Sequence, residues 1–191
     1  ILAETNEPGF KGHPAHTRLL FVIAISWNVV GYGYATLGQY RDAVSAYTTS
    51  LLYTRLVQPP FMVASQATTL NNLARALSEI GRWHAVRLCQ DGLQRRIELA
   101  EWLPIAFSYN TLGLIYNDFK EPQEALDYSA LALAIARYVQ DDRAVSLSML
   151  QVGEALRSLV TLDELSQEDT AEEIFREAGN VLTQAYNISK K

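Results

Sequence analysis

The sequence repeats its own pattern with a period of about 40 residues. The run LNNLARALSEIGRWHAVRLCQDGL, from residue 70, is matched by FSYNTLGLIYNDFKEPQEALDYSALALAIA, from residue 107. Each copy has apolar residues at helical spacing, a short polar break and a second amphipathic run. Ala74 and Gly113 occupy equivalent positions, and further equivalents follow at Gly31 and Gly153. Two helices in each repeat of this length predict an α-solenoid, in which every unit packs on its neighbours.

Four such units account for nearly all of the 191 residues. We therefore predict an all-α fold, a right-handed α-solenoid of about four helix pairs over residues 16–191. A lead-in over residues 1–15 has no apolar period, and Pro14 is suited to open a helix. The predicted units cover about residues 24–60, 61–102, 103–141 and 142–187. Because the sequence begins with Ile1, we expect it to be a piece of a longer protein.

The last predicted helix has two registers that fit nearly equally well. One places Ala171, Phe175 and Ala178 on the inner face, after a longer acidic turn. The other uses Ala178, Leu182 and Ala185. The sequence does not decide between these two registers.

No charged residue lies between Arg18 and Arg41, and this stretch begins LLFVIAI. It is long enough to span a bilayer, so a membrane helix is one interpretation. Asn28, two glycines and two tyrosines in its middle, together with the repeat pattern, favour a helix buried between neighbours. We expect no contact with a membrane.

Charge and cysteine content narrow the classes of partner. The net charge is −5, and it is concentrated in the C-terminal half, since residues 111–191 hold seven Lys/Arg against fourteen Asp/Glu. No basic stripe is available to neutralise phosphates, so nucleic acid is not an expected ligand. The single cysteine, Cys89, excludes an internal disulfide and fits a reducing, cytoplasmic location. We interpret Cys89 as a small packing residue.

No combination of residues indicates catalysis. The pattern G-x4-G-K-[ST] of a phosphate-binding loop is absent from the sequence. His13, His16 and His84 do not pair with cysteines or carboxylates at the spacing of metal ligands. We expect no enzymatic activity, no cofactor and no metal.

The repeats carry a recognisable consensus, W-x2-L-G-x2-Y followed by A-x3-F. The first unit has Trp27, Val30, Gly31, Tyr34, Ala43 and Tyr47 at these positions. The third has Tyr109, Leu112, Gly113, Tyr116 and Ala125, whereas the second departs from the consensus at Val86 and Gln90.

This pattern resembles the tetratricopeptide repeat (TPR) family. The segments TLNNLA and ALALAIARYVQDDR are similar to its long-repeat branch, which includes kinesin light chains, bacterial peptide-sensing regulators and the sensors of STAND signalling NTPases. The resemblance implies recognition of proteins or peptides on a concave face that the first helix of each unit lines.

Asparagines recur in register along the predicted first helices. Asn28, Asn71 and Asn110 share one position in the repeat. Tyr32, Arg75 and Leu114 follow one turn later, and Asn72 and Asn117 lie nearby. A carboxamide has both donors and acceptors, so a row of them could hold the backbone of an extended peptide, as the family resemblance also implies. The same repetition is expected if the amides satisfy helix ends or water within the stack, and both interpretations stay open.

These observations predict a non-catalytic module that binds an extended peptide or partner segment in its concave groove. The alternative is a ligand-sensing regulatory domain of a STAND-type signalling NTPase or another bacterial effector. Its partners would then include other domains of the same chain.

Overall fold

The computed structural model describes residues 14–56 and 62–161, together with Arg176, Asn180 and Thr183. Within the two continuous ranges the chain forms seven α-helices and no strand. The helices are α1 (Pro14–Thr36), α2 (Tyr40–Leu56), α3 (Val63–Glu79), α4 (Ala85–Glu98), α5 (Trp102–Asp118), α6 (Pro122–Tyr138) and α7 (Asp142–Thr161).

The helices form consecutive pairs that stack side by side. Within a pair, α1 packs on α2, α3 on α4 and α5 on α6, and each second helix also packs on the first helix of the next pair. The first helices contact one another as well, α1 with α3, α3 with α5 and α5 with α7. This arrangement confirms the predicted all-α solenoid. The last predicted helix, with its two registers, lies outside the described residues, and the unit boundaries stay a prediction.

Each described pair turns at a residue with positive φ. Gly38 and Gly81 adopt φ of +73° and +71°, and Lys120 takes the same place in the third pair with φ of 65°. In all three turns the next amide bonds back to a carbonyl five residues earlier; Gln39 N–H, for example, donates to Tyr34 O at 2.9 Å. This bond satisfies a carbonyl that the helix end leaves free. The polar breaks of the sequence are therefore helix caps.

Close approach within a pair depends on small residues at one repeat position. A Cβ added to Gly113 would meet the Ser129 hydroxyl, and would lie 3.2 Å from the Ala125 carbonyl oxygen. Ala74, at the equivalent position of α3, is fully buried, and a Cβ on Gly31 would lie 2.7 Å from the Tyr47 ring. The helices therefore pack backbone to side chain at this position, which explains its small residues.

Helix α4 departs from the predicted register. Val86 was expected to take the place of the small residue that contacts α3, with Gln90 one turn later. Val86 is buried, but Ala85 and Cys89 are the fully buried positions, and Gln90 is exposed. The chain enters α4 through bonds over three residues, from Ala85 N–H to Arg82 O and from Val86 N–H to Trp83 O. This tighter turn rotates the helix by about one residue relative to the other second helices.

The expectation that the uncharged stretch of α1 is buried between neighbours was wrong. Val22, Val29 and Tyr32 are exposed by 57%, 63% and 62%. The physical reason is position, because within the described residues α1 is an end helix that packs mainly on α2 and α3. Among the described helices, α1 is the one that is long and apolar enough to cross a membrane by length and composition alone. The absence of membrane contact stays a prediction.

We predict that Gly113→Leu lowers the free energy of unfolding by about 1–3 kcal/mol, since the new side chain must displace α6. Gly33→Leu is the matched control, because a Cβ at Gly33 meets nothing within 4 Å. The control should not destabilise the protein, as leucine is the better helix former. Urea titration followed by circular dichroism measures both. Equal stability of Gly113→Leu and wild type would contradict the packing described here.

Candidate functional site

The first helices present a continuous surface on the side turned away from the second helices. Equivalent residues of α1, α3, α5 and α7 lie in rows across this surface, because positions three and four apart share one side of a helix. We call it the groove face and define it by three such rows: Tyr32, Arg75, Leu114 and Glu154; Val29, Asn72, Thr111 and Gln151; and Ile25, Thr68, Phe107 and Leu147.

The three registered asparagines link each first helix to the next. Asn28 Nδ2 donates to Thr69 Oγ1 at 2.8 Å. Asn71 Nδ2 donates to Thr111 Oγ1 at 2.9 Å, and Asn110 Nδ2 donates to Ser148 Oγ at 2.9 Å. The same type of contact therefore occurs at all three junctions between described first helices.

Each accepting hydroxyl is itself held in place. Thr69, Thr111 and Ser148 all donate to the carbonyl four residues earlier on their own helix, at 2.8–2.9 Å. The hydroxyl hydrogen is thereby directed away from the asparagine, and an oxygen lone pair is left to accept the amide N–H. The result is a relay from amide to hydroxyl to backbone carbonyl, repeated three times.

Burial decides how accessible these amides are. Asn71 is 9% exposed and Asn110 is 3% exposed, whereas Asn28 is half-buried. A peptide could reach the amide nitrogens of Asn71 and Asn110 only by displacing Thr111 and Ser148. The geometry therefore favours the interpretation in which these two amides serve the stack. Peptide binding by the predicted set as a whole stays a prediction.

The other predicted residues are more accessible. Tyr32 is exposed, while Leu114, Asn72 and Asn117 are half-buried. Within the described ranges, Asn72 Nδ2 makes one long bond, 3.4 Å, to Asn28 Oδ1, which brings these two amides together on the groove face. Asn117 keeps a buried Oδ1 that has no hydrogen-bond partner within the described part of the chain.

Arg75 spans the groove face from α3 to α5. Its guanidinium forms ion pairs with Glu79 on its own helix and with Asp118 on α5. It also donates to Ser78 Oγ at 2.9 Å. Two carboxylates thus balance its charge, so that Arg75 acts as a clamp between two repeats and is not a free cation for a ligand.

Helix α1 carries an apolar stripe on the groove face that the sequence did not predict. Phe21, Ile25, Val29 and Tyr32 lie on one side of the helix, with exposed fractions of 36%, 39%, 63% and 62%. Contiguous exposed apolar side chains rimmed by polar ones mark interaction sites more often than chance surface. The polar rim here is formed by the side chains of α3 that lie next to the stripe, including Thr68 and Asn72.

A cavity of about 370 Å³ opens between α1, α2, α3 and the start of α5. Asn28 is the predicted site residue that lines it. The remaining polar lining was not predicted: Ser50, Thr54, Ser65, Thr68, Thr69 and Glu101. The available signal was hydroxyl spacing, because Ser50 and Thr54 are four residues apart and Ser65, Thr68 and Thr69 share one side of α3.

Two buried polar side chains lie behind the groove face. Cys89 is fully buried and its thiol donates to Asn71 Oδ1 at 3.5 Å. Burial raises the pKa of the Cys89 thiol to about 12, which fits a packing residue and opposes a nucleophile. Arg96 is 5% exposed, and burial lowers the pKa of its guanidinium. Across the described ranges, no group of three or more His, Cys, Asp or Glu side chains could hold a metal ion.

We predict that Asn110→Ala destabilises the protein by about 1–3 kcal/mol, because the change removes the amide from a buried junction and leaves Ser148 without its donor. Asn72→Ala is the control, since its amide is half-buried and its one bond is long. The control should stay within about 0.5 kcal/mol of wild type. Thermal melts of both variants measure the difference, and indistinguishable melting temperatures would contradict a structural role for Asn110.

Comparisons with known proteins agree with this architecture. The sequence profile of the tetratricopeptide repeat matches residues 66–101 and 107–137, about a third of the chain, which include most of α3–α4 and of α5–α6. No curated protein matches the sequence.

Two solved structures have the same fold. BtubC (BKLC) from P. vanneervenii superposes with a TM-score of 0.67 at 19% identity, over 90% of this chain and 65% of the BtubC chain. The chain thus spans less than two thirds of BtubC. Nearly identical TPR-like repeats from Podosopora anserina, described as a kinesin light chain, superpose with a TM-score of 0.62 at 17% identity, over 97% of this chain and 82% of theirs.

The two central helix pairs thus match the tetratricopeptide repeat, and the described helices have the same fold as these two solved structures.

Proposed function

We propose that this chain is a non-catalytic recognition module that binds an extended peptide or partner segment along its groove face. Tetratricopeptide repeats typically serve as protein-interaction modules. The proposal narrows that general role to one surface and one class of ligand, with the cytoplasm as the expected location.

The observation that carries the proposal is the apolar stripe of α1, which is exposed on the groove face within the described part of the chain. Fully burying an exposed valine or phenylalanine side chain contributes about 1.5–3 kcal/mol. Phe21, Ile25 and Val29 are exposed by 36%, 39% and 63%, so each can contribute a part of that range to anchoring a short peptide. Tyr32 adds a large, nearly rigid contact surface with a hydroxyl that can hydrogen-bond. A partner with apolar side chains on one side of an extended segment fits this stripe.

Polar side chains of α3 next to the stripe can form hydrogen bonds with such a ligand. Thr68 is exposed, and among the described residues nothing accepts its hydroxyl hydrogen. Asn72 has an amide with one long bond and an oxygen for which no donor lies within the described part of the chain. An extended peptide backbone carries unpaired N–H and C=O groups that can satisfy these side chains. Apolar anchors on α1 and polar contacts on α3 therefore suit the same ligand.

Preorganisation supports the proposal further. The amide–hydroxyl bonds at the three junctions, and the Arg75 clamp to Asp118, fix the first helices relative to one another without a ligand. A surface that is already ordered loses little conformational entropy when it binds.

The test uses random 12-residue peptides displayed on phage and selected against the chain. The enriched peptide is then synthesised with a fluorophore, and its affinity is measured by anisotropy. We expect Val29→Ser and Tyr32→Ser each to weaken binding by about tenfold, as a lost apolar anchor costs about 1.4 kcal/mol or more. Asn72→Ala should weaken it about threefold, in line with one net hydrogen bond.

Leu52→Ser is the matched control, because Leu52 is 56% exposed on α2, a second helix outside the groove face. It should bind like wild type. The proposal fails if selection enriches no peptide, or if Leu52→Ser weakens binding while the two groove-face variants do not.

A further inference from the structure

The cavity beside α1 is lined by both apolar and polar side chains, and most of its hydroxyls are already engaged. Ser50 donates to Ala24 O at 2.8 Å, Thr54 donates to Leu51 O at 2.8 Å, and Thr69 donates to Ser65 O at 2.9 Å. Asn28 Nδ2 is taken up by Thr69. These side chains give the cavity a fixed shape and leave its hydrogen-bonding capacity to a few other groups.

Three lining groups keep that capacity. The hydroxyl hydrogen of Thr68 and the hydroxyl of Ser65 have no acceptor within the part of the chain that the structure describes. The Glu101 carboxylate, at the N-cap of α5, likewise makes no capping bond to its helix. Two donors and a carboxylate therefore line one small space.

Groups of opposite charge lie on different sides of this space. On one side Arg96 Nη2 donates to Thr68 Oγ1 at 3.3 Å, and Arg96 Nη1 donates to Pro104 O at 2.8 Å and Ser108 Oγ at 2.6 Å. Arg96 is almost fully buried, and its guanidinium forms no ion pair with a described carboxylate. Its positive charge thus lies directly behind the Thr68 hydroxyl, whereas Glu101 brings a negative charge to the same cavity.

Because charges of opposite sign lie on two sides of the cavity, neither an anion nor a cation is favoured as its ligand. A ligand carboxylate would be attracted by Thr68 and Arg96 but repelled by Glu101, and a ligand ammonium would meet the reverse. A primary carboxamide is neutral, and its carbonyl carbon carries both an acceptor oxygen and an NH2 group with two N–H donors. Its oxygen can accept from Thr68 while its N–H groups donate to Glu101. Burying it also costs less than burying a charge.

We propose that this cavity binds the side-chain carboxamide of an asparagine or glutamine in the peptide held on the groove face. The inference rests on the proposed function, to which it adds a position of sequence specificity. The cavity lies next to Ile25 and Thr68, so the bound carboxamide would lie between the apolar stripe of α1 and the polar side chains of α3.

The test is a titration by ¹H–¹⁵N correlation NMR with four small probes of similar size. The probes are propionamide, propionate, n-propylammonium and butanone, which separate the carboxamide from its charged and donor-free analogues. We expect saturable shifts at Ser65, Thr68 and Ala24 with propionamide, at an affinity at least about fivefold above that of the other three probes.

Two variants make the test specific. Thr68→Val keeps the shape and removes the hydroxyl, so it should weaken propionamide about fivefold. Glu101→Gln removes the negative charge, so it should raise the affinity for propionate relative to propionamide. Thr48→Val is the control, since Thr48 is exposed on α2 and outside the cavity. Circular dichroism melts check that each variant is folded.

Equal binding of all four probes, no shift at the lining residues, or unchanged propionamide affinity in Thr68→Val would each overturn the inference. Failure of the proposed function is a separate result. A selected peptide that binds without asparagine or glutamine would support the groove and contradict the carboxamide site. Propionamide binding without any enriched peptide would support the carboxamide site and contradict the groove.

Discussion

The arrangement of the first helices depends on one repeated hydrogen-bond relay. An asparagine amide of one helix donates to a hydroxyl of the next, and that hydroxyl donates to its own helix backbone. Helix packing by apolar contact alone tolerates sliding and rotation, because the hydrophobic effect is not directional. A buried amide that loses its partner is costly, so each relay specifies one relative position of two neighbouring helices.

This constraint determines what the surface can offer to a ligand. Because the deep amides of Asn71 and Asn110 hold the stack, the accessible polar groups of the groove face include Asn72, the second asparagine of α3, and the exposed hydroxyls of Thr68 and Tyr32. The charge of Arg75 is likewise paired with a carboxylate at the contact between α3 and α5. The surface left for binding is therefore the apolar stripe of α1 beside the neutral polar side chains of α3. Such a surface suits hydrogen bonds and apolar anchors better than recognition of a charged motif.

The repeat period was enough to predict the fold, because spacing of apolar and small residues directly reflects helix packing. Gly113 illustrates this, as its place in the pattern and the close approach of α6 have the same cause. The role of the asparagines was harder to predict, since peptide binding and junction building both require amides in register. Only the burial of Asn110 and its contact with Ser148, 38 residues away, separate the two.

Other features depended on information that no local pattern contains. The exposure of Val29 follows from the place of α1 at the end of the described stack, and a helix between neighbours would have the same composition. The shifted face of α4 results from its tight first turn, which exposes Gln90 and buries Cys89. The cavity combines residues from four helices and the Glu101 cap, so its opposed charges emerge only in the folded chain.

The most direct test of this account is a double-mutant cycle across one relay, at Asn71 and Thr111. Urea denaturation would give the free energy of unfolding of wild type, Asn71→Ala, Thr111→Val and the double variant. If the relay holds α3 against α5, the two substitutions are coupled by about 1 kcal/mol, since the second costs little once the first has removed the bond. Strictly additive losses, with a coupling energy near zero, would show that the amide and the hydroxyl stabilise the chain independently and would contradict the account.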